Sequence, residues 1–395
     1  MILLKITKTI QLQLIAEKTK IYNTITQYLN AMNYISQYAT DHKIWNKVKI
    51  QQQVYQDIRD RFQLKSQMTI NVIRETTSKY NGECKKNRKR TDKKGNLKPV
   101  KFKSHSMRLN YPRDYGFKED NTISINSIYG RLSVKYKIGH YQQQILDSKE
   151  WTVRSSVITI RKDGIIFLNI AIDKEIQETS FLNKDGVVGV DLGMNFVAVT
   201  TDTHGKTEFY GGGNVKYQRW LHAKHRQEAQ SKGTRASKRF LQLISKREQR
   251  FVTEQNHIIA KDIVAKAKAR FISPIIAMED LKGIRQQTYI GKTHRSRINK
   301  WAFYQLQQCI EYKALDQEIP IVYIDPAYTS QTCPKCGYKH KSNRNHKLHA
   351  FKCKNCGYQS NDDRAASINI RDRAVVPRYI RDTRGMCQLP QCSVK

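Results

Sequence analysis

The sequence predicts an α/β protein in two parts, and three patterns support that prediction. Short runs of alternating apolar and polar residues occupy residues 1–15 and return between about residues 102 and 173, with helical periodicity in between. From Asp185 onward, three strands are followed by long helices, a strand, a helix and another strand. Two cysteine pairs then precede a last helix. The first pattern is typical of a small β-barrel interrupted by a helical insert, and the second of a mixed sheet covered by helices.

The charge of the chain indicates a polyanionic partner. Its 395 residues include 71 Lys and Arg against 34 Asp and Glu, which gives a net charge of +37. A charge of this size repels itself in the folded state. The basic residues run along the whole chain, so the expected partner is nucleic acid.

Membrane and secreted classes are not expected. No stretch approaches the roughly 20 apolar residues of a membrane span. Lys5 and Lys8 interrupt the N-terminal apolar run, which argues against a signal peptide. Paired cysteines in a protein that is neither secreted nor membrane-bound favour metal binding over disulfides. We therefore expect a cytoplasmic protein in contact with DNA or RNA.

The N-terminal part divides where the periodicity changes. Residues 1–15 are expected to provide the first strand of the barrel, and residues 105–180 the remainder. Residues 16–84 form the helical insert, with apolar faces made of Ile21, Ile25, Tyr28, Met32 and Ile35 on one helix and of Val54, Ile58 and Phe62 on the next. Residues 85–104 carry ten basic residues and one acid. That composition is typical of a solvated linker, which can also follow a phosphate backbone.

The C-terminal part consists of a main domain with an insertion. We assign residues 181–329 and 361–375 to the main domain, residues 330–360 to the cysteine-containing insertion, and residues 376–395 to a flexible tail. The helical region between about residues 215 and 270 should break at Gly233. Its expected apolar face consists of Phe240, Ile244, Phe251, Ile258 and Ile263.

Acidic residues stand at the ends of three apolar elements. Asp191 ends the strand GVVGVD, Glu279 and Asp280 end PIIAMED, and Asp362 and Asp363 open the last helix. An unpaired buried carboxylate is costly. Taken singly, each has an ordinary explanation: an ion pair for Asp191, a turn for Asp280, or a helix cap for Asp363.

Taken together, these acids indicate a metal-dependent nuclease. The order of three strands, helix, strand, helix, strand and helix is that of the RNase H-like fold, in which acids on the first strand, the fourth strand and the last helix converge. Carboxylates so close together repel each other unless a divalent cation neutralises them, and Mg²⁺ prefers such oxygen ligands. Two ions about 4 Å apart would activate a water and stabilise the leaving oxygen of a phosphodiester.

Four cysteines predict a zinc ribbon. They form two CxxC pairs, each followed by glycine: Cys333, Cys336, Cys353 and Cys356. Four thiolates arranged tetrahedrally leave no open position on zinc, so the role is structural. A swapped ligand from the intervening segment is an alternative, the candidates being His340, His346 and His349. The other four cysteines do not have zinc-pair spacing: Cys84, Cys309, Cys387 and Cys392.

Three runs resemble a known family when taken in order: GVDLGMNFVAVTTD, MED and YTSQTCPKCGYKH…FKCKNCGYQSNDDRAASINI. They are similar to the transposon-encoded TnpB family of RNA-guided, RuvC-like DNA nucleases, which are related to the type V CRISPR effectors. The resemblance covers about residues 185–372. The N-terminal half is similar only in layout, as a wedge barrel interrupted by a helical recognition insert.

The resemblance implies a set of catalytic residues and partners. The family's D-x-N-A-A-x-N-I pattern, counted back from Asn369 and Ile370, selects Asp363 over Asp362, and Ala365 stands where the family usually has asparagine. The implied catalytic Mg²⁺ ligands are Asp191, Glu279 and Asp363, and the implied zinc ligands are Cys333, Cys336, Cys353 and Cys356. The implied partners are a guide RNA and a double-stranded DNA target with a short flanking motif. We expect a monomer in the complex.

Two other functional classes stay open. A nuclease-inactive relative would bind DNA under RNA guidance and repress transcription, but such proteins have usually lost one of the three acids. A DNA transposase would use similar metal chemistry without a guide RNA. A miniature type V CRISPR effector falls within the leading class, since only its genomic surroundings would differ.

Overall fold

A computed structural model describes most of the chain, and every structural statement below concerns these residues: 3–15, 18–86, 98–161, 163–177, 184–193, 195–281, 303–345 and 348–374. They form a mixed α/β fold, as predicted. The chain separates into two compact units, an N-terminal unit of Ile2–Ile176 and a C-terminal unit that begins at Gln177. Most of the basic stretch 85–104 and all of the tail 376–395 lie outside the described residues.

The N-terminal unit contains a seven-stranded sheet that curls into a nearly closed barrel, with the strand order β2-β6-β7-β1-β5-β4-β3. Strand β1 lies in the middle of this order although it is first in the chain, and it pairs antiparallel with β5. The strands are β1 (Leu3–Ile15), β2 (Ser106–Asn110), β3 (Tyr115–Lys118), β4 (Thr122–Ser127), β5 (Gly130–Lys137), β6 (Thr152–Ile160) and β7 (Ile166–Gln177).

Three helices between β1 and β2 form the insert, and a short fourth helix follows β5: α1 (Lys18–Asp41), α2 (Lys47–Phe62), α3 (Ser66–Lys86) and α4 (His140–Asp147). The predicted face of α1 is confirmed, because all five of its apolar residues are buried. On α2, Val54 and Ile58 are buried and Phe62 packs against the same core. These side chains join those of the barrel strands in one hydrophobic cluster, so the insert and the barrel share a core.

The C-terminal unit is built on a five-stranded sheet with the order β10-β9-β8-β11-β12. Strand β8 pairs antiparallel with β9 and parallel with β11, and β11 pairs parallel with β12. The strands are β8 (Gly186–Asp191), β9 (Phe196–Asp202), β10 (Thr207–Gly211), β11 (Pro274–Glu279) and β12 (Ile321–Ile324). The helices are α5 (Gly213–Lys232), α6 (Arg235–Ile244), α7 (Arg247–Arg270), α8 (Phe303–Asp316) and α9 (Asp362–Arg373).

Helices cover both faces of this sheet, as the nearly continuous apolar strands require. Helices α7 and α8 pack on the face that carries Ile276 and Met278 of β11. Helix α9 packs on the opposite face, where Ile370 contacts the cluster formed by Ile275 and Ala277. No helix in the described ranges has the length and apolar content that a membrane crossing requires.

The predicted break at Gly233 is confirmed, but the single apolar face of the helical region is wrong. Gly233 has a φ of 62° and ends α5. A second break at Lys246, with a φ of 63°, separates α6 from α7. Because this break resets the helical phase, the five residues cannot share one face. Phe240 and Ile258 are exposed.

The insertion between β12 and α9 contains a small three-stranded sheet, with β14 between the other two strands. These strands are β13 (Arg344–Asn345), β14 (Ala350–Lys352) and β15 (Gln359–Asn361). Phe351, Cys333 and Cys353 form its small core together with Ala365 of α9. Ala365, which stands where the TnpB pattern usually has asparagine, is therefore a small apolar residue of this core. An asparagine side chain there would need a hydrogen-bond partner.

Candidate active site

Asp191 lies at the carboxyl end of the central strand of the sheet. Strand β8 holds it there because Val188 and Val190 are buried in the core, which fixes the strand's register. Two residues further on, an added Cβ on Gly193 would lie 3.6 Å from Oδ2 of Asp363. The loop after β8 therefore passes close to the first turn of α9.

Glu279 ends the neighbouring parallel strand. Met278 of β11 is the partner of Val190 of β8, so Glu279 and Asp191 leave the sheet side by side. Gln307 of α8 donates to the backbone carbonyl of Glu279 at 2.8 Å. Thr329 Oγ1 donates to Glu279 Oε1 at 2.5 Å, which orients the carboxylate and satisfies one of its oxygens.

The first turn of α9 supplies two more carboxylates. Asn361 caps this helix, because its side chain accepts hydrogen bonds from the backbone N–H groups of Asp363 and Arg364 at 3.0 and 3.1 Å. Asn369, later in α9, donates to the backbone carbonyls of Thr329 and Thr332. The same helix thus presents Asp363 and anchors the segment that orients Glu279.

Asp191 lies close enough to Glu279 and Asp363 for their charges to alter its protonation. Burial, together with the nearby carboxylates of Glu279 and Asp363, raises the pKa of Asp191 well above its ordinary value. Burial also raises the pKa of Glu279, against the opposing hydrogen bond from Thr329. Burial and the adjacent Asp362 raise the pKa of Asp363. Asp191, Glu279 and Asp363 therefore lie in one acidic region. In the described residues, however, the acidic group whose ligand atoms all lie within 4.8 Å of one another consists of His349, Asp362 and Asp363, and it does not include Asp191 or Glu279.

Arg344 is the main cation at this centre, and sequence reasoning missed it. It stands on β13. Its Nε donates to Asp362 Oδ2 at 2.8 Å, and its Nη2 lies 3.6 Å from Asp363 Oδ1. Its charge lowers the pKa of Asp191, and Arg373 and then Arg344 lower the pKa of Glu279, although burial still raises both values. In the sequence it is one of many basic residues between the cysteine pairs, and only the fold of the insertion distinguishes it.

Asp362 and His349 form the outer part of the site. Asp362 is 0% exposed and lies between Arg344 and His349, whose Nδ1 is 3.7 Å from Asp362 Oδ1. The other ring nitrogen of His349 contacts the side chain of Asn195, which follows β8. His349 therefore faces the acidic residues and not the cysteines, and His346 lies outside the described residues.

The four predicted cysteines converge. Cys333 Sγ lies 3.6 Å from Cys356 Sγ, and Cys336 Sγ lies 3.6 Å from Cys353 Sγ. Thiolates bound tetrahedrally at about 2.3 Å would lie about 3.8 Å apart, which matches these distances. The backbone N–H of Tyr338 lowers the pKa of Cys336 to about 6, whereas burial raises the pKa of Cys333 to about 12. The distances between the four sulfurs, and not their pKa values, therefore make the cluster suited to hold a thiolate-binding metal.

Each cysteine pair is followed by the same turn. The backbone N–H of Gly337 donates to Cys333, and that of Gly357 donates to Cys353. Both glycines have a φ near 70°, at 71° and 72°, which favours glycine at these positions. Of the other cysteines, Cys309 is buried in α8, and Cys387 and Cys392 lie outside the described residues.

Comparison with known proteins gives a match to a family model and matches to individual relatives. Residues 303–370 match the family model described as Cas12f1-like, TNB domain. The CRISPR-associated endodeoxyribonuclease Cas12f1 of Sulfoacidibacillus thermotolerans is 31% identical over 239 residues, which are 58% of this chain and 54% of that protein. The chain thus spans about half the length of this relative. A TnpB-like protein of Methanocaldococcus jannaschii is 27% identical over 265 residues, which are 65% of this chain and 91% of that protein.

A solved structure extends the likeness in fold. The mini-RNA-guided endonuclease CRISPR-Cas phi3 superposes with a TM-score of 0.57 at 12% identity, covering 94% of this chain and 93% of that chain. At this level of identity the likeness concerns the fold alone.

Proposed function

We propose that this chain is a TnpB-family protein related to the type V CRISPR effectors. We further propose that it is a transposon-encoded RNA-guided DNA endonuclease. It would cut double-stranded DNA next to a short flanking motif by metal-dependent hydrolysis. The proposal extends to this chain what the names of its relatives state, since those names include an endodeoxyribonuclease and an RNA-guided endonuclease.

The observation that carries the proposal is the placement of Asp191 and Glu279 at the carboxyl ends of two adjacent strands, with the first turn of α9 and its Asp363 close to the loop after Asp191. Their carriers, β8, β11 and α9, are the first strand, the fourth strand and the last helix of the C-terminal unit, as in an RNase H-like nuclease. The donor set consists of carboxylate oxygens, and burial raises the pKa of each acid. Carboxylate oxygens are ligands that Mg²⁺ prefers, and a bound cation would stabilise their charged forms. Two Mg²⁺ ions bound there would supply an activated water and stabilisation of the leaving oxygen.

The remaining residues of the site would position the reacting groups. Thr329 holds one oxygen of Glu279, which restricts the carboxylate and would leave its other oxygen available to a metal ion. Asn361 fixes the start of α9 and thereby the direction of Asp363. Arg344 supplies a fixed positive charge beside Asp363, where the phosphate of a bound strand would be attracted.

A structural zinc in the cysteine cluster would hold Arg344 and α9 in place. The same small core contains Cys333, Cys353 and Ala365, and β15 runs directly into α9. We assign residues 330–360 to a zinc ribbon, residues 181–329 and 361–375 to the RuvC-like nuclease, and residues 1–15 with 105–180 to a wedge barrel. Residues 16–84 would form the recognition insert and residues 85–104 a basic linker.

Guide RNA and target DNA are the proposed partners, on the strength of the +37 net charge and of the relatives' names. A monomeric complex in the cytoplasm is part of the same proposal. The described elements offer no obvious reading helix for a long DNA site. Base pairing with a guide would supply that information, and the protein would read only the short flanking motif.

The test compares cleavage with target binding in three variants. Asp191→Ala, Glu279→Ala and Asp363→Ala should each abolish Mg²⁺-dependent cleavage, while the affinity for the guide-matched DNA stays within a few-fold of wild type. If wild type binds the target without cutting it, the nuclease-inactive repressor is the better assignment. If Asp362→Ala abolishes cleavage and Asp363→Ala does not, the third metal ligand is Asp362.

A further inference from the structure

Helix α5 exposes an aromatic and basic stripe, formed by Tyr217, Trp220 and Lys224. The spacings of three and four residues place these side chains on one face. Tyr217 and Trp220 are each 57% exposed, and their rings stack with centroids 6.1 Å apart at an interplanar angle of 30°. Lys224 Nζ lies 5.5 Å from the centre of the Trp220 ring. Two large rings that are stacked yet open to solvent present a flat surface to a further ring.

The charge around the stripe selects a polyanion. Helices α5 and α6 carry eight Lys or Arg and one acid, Glu228. Glu248 of α7 pairs with Arg219 and Arg226, but the other basic residues extend over exposed surface. Aromatic faces next to basic residues are the features with which proteins bind unpaired nucleotides, because the bases stack on the rings and the phosphates contact the cations.

The stripe begins beside the candidate active site. Lys216, the residue before Tyr217, donates to the side chain of Asn195 at 2.7 Å, and the backbone N–H of Gly212 donates to the carbonyl of Asn195 at 3.1 Å. Asn195 contacts His349, which faces Asp362. With a rise of about 1.5 Å per residue, Trp220 lies about 6 Å further along the helix axis than Lys216.

From this continuity we infer that the stripe is a stacking platform for unpaired bases of the DNA strand that enters the active site. In a duplex the faces of the bases are stacked on one another, so the rings of Tyr217 and Trp220 can stack only on bases of a separated strand. A strand with one phosphate at the carboxylates would extend along α5 with its next nucleotides over Tyr217 and Trp220. The inference rests on the proposed nuclease function, since it identifies the occupant as the strand to be cut.

The test measures binding of single strands by the full-chain protein without added Mg²⁺ or Mn²⁺ and without a chelator, so that no cleavage is expected and a zinc in the cysteine cluster stays bound. The probes are a labelled oligo(dT) of about 20 nucleotides, a strand of equal length with abasic sites, and oligo(U) RNA. The variants are Trp220→Ala, Trp220→Phe and Tyr217→Ala. The matched control is Tyr304→Ala, because Tyr304 is 44% exposed in the same unit but stands on α8.

Trp220→Ala and Tyr217→Ala should weaken oligo(dT) binding by about 5- to 100-fold, the loss expected for one stacked base. Trp220→Phe should retain most of the affinity, and Tyr304→Ala should match wild type. Binding of the abasic strand should not change, nor should the salt dependence of binding, because no phosphate contact is removed.

Three results would overturn the inference. They are unchanged oligo(dT) binding in Trp220→Ala, an equal loss for oligo(dT) and the abasic strand, and a loss confined to oligo(U). Failure of wild type to bind oligo(dT) would overturn it too. None of these results depends on guide-directed cleavage by wild type, so failure of the platform and failure of the nuclease assignment are separate outcomes.

Discussion

Replacing Gly189 by alanine should slow cleavage without contacting any reacting group. Gly189 lies in β8, directly beneath α9. An added Cβ would lie 2.2 Å from the backbone oxygen of Ser367 and 2.5 Å from the backbone nitrogen of Arg371, both in α9. Opening the shorter contact from 2.2 Å to an ordinary 3.4 Å requires a displacement of about 1.2 Å between helix and strand.

This displacement acts on the catalytic geometry because the two elements carry different acids. Asp191 follows Gly189 by two residues in β8, whereas Asp363 is in the first turn of α9. A misplacement of about 1 Å between positioned groups costs on the order of 100-fold in rate. Overpacking of this kind also lowers the free energy of unfolding by about 1–3 kcal/mol. For a unit of this size that corresponds to a fall in Tm of about 2–4 °C per kcal/mol.

The assay is single-turnover cleavage of guide-matched DNA at saturating Mg²⁺, with target binding and Tm measured on the same preparations. Gly211→Ala in β10 is the matched control, because no atom lies within 4 Å of its added Cβ. We expect cleavage about 100-fold slower in Gly189→Ala and near wild-type in Gly211→Ala, with both binding the target. Wild-type cleavage by Gly189→Ala would refute the claim that close packing of α9 on β8 sets the distance between Asp191 and Asp363.

Two further predictions concern the zinc cluster and the charge of Asp191. One zinc per chain should be found by elemental analysis. Cys333→Ser should lose both the zinc and most of the cleavage activity, whereas Cys309→Ser, at a buried cysteine outside the cluster, should keep the zinc. A zinc-free Cys333→Ser protein with full activity would contradict the ribbon's structural role. Asp191→Asn should raise the Tm of the Mg²⁺-free, zinc-loaded protein at pH 8, because the pKa of Asp191 is raised in the folded state, so its ionisation destabilises the fold as the pH rises from the unfolded-state pKa through the folded-state pKa. The gain in Tm should shrink as the pH falls toward the unfolded value of about 3.9, where the carboxyl is protonated in both states, and a gain that is independent of pH would contradict this reasoning.

Periodicity and local chemistry were sufficient to predict the elements that carry the three acids. The run IIAM predicts a strand buried on both faces, and Ile276 and Met278 do face α7 and α8 while Ile275 and Ala277 face α9. The cysteine spacing likewise predicts the cluster, because each pair is followed by the same glycine turn. These turns are local, so they can be read from the sequence.

Features that depend on distant packing could not be predicted in this way. The second break at Lys246, which places Phe240 and Ile258 in solvent, has no glycine or proline to mark it. Arg344 reaches Asp362 only because β13 folds back within the insertion. Similarly, Thr329 becomes a partner of Glu279 only after Asn369 of α9 has fixed its segment. Each of these contacts joins residues whose relation is set by the tertiary fold.

The most direct test of the proposed function is to change only the guide portion of the RNA and to map the cut in DNA. The protein should copurify with RNA, and the cut should move to the sequence that matches the new guide, next to the same short flanking motif. RNase treatment of the preparation should abolish specific cleavage and leave weak binding to DNA with a steep salt dependence. Cleavage that stays at the old sequence, or that proceeds equally well after RNase treatment, would contradict RNA guidance and favour a transposase or an unguided nuclease.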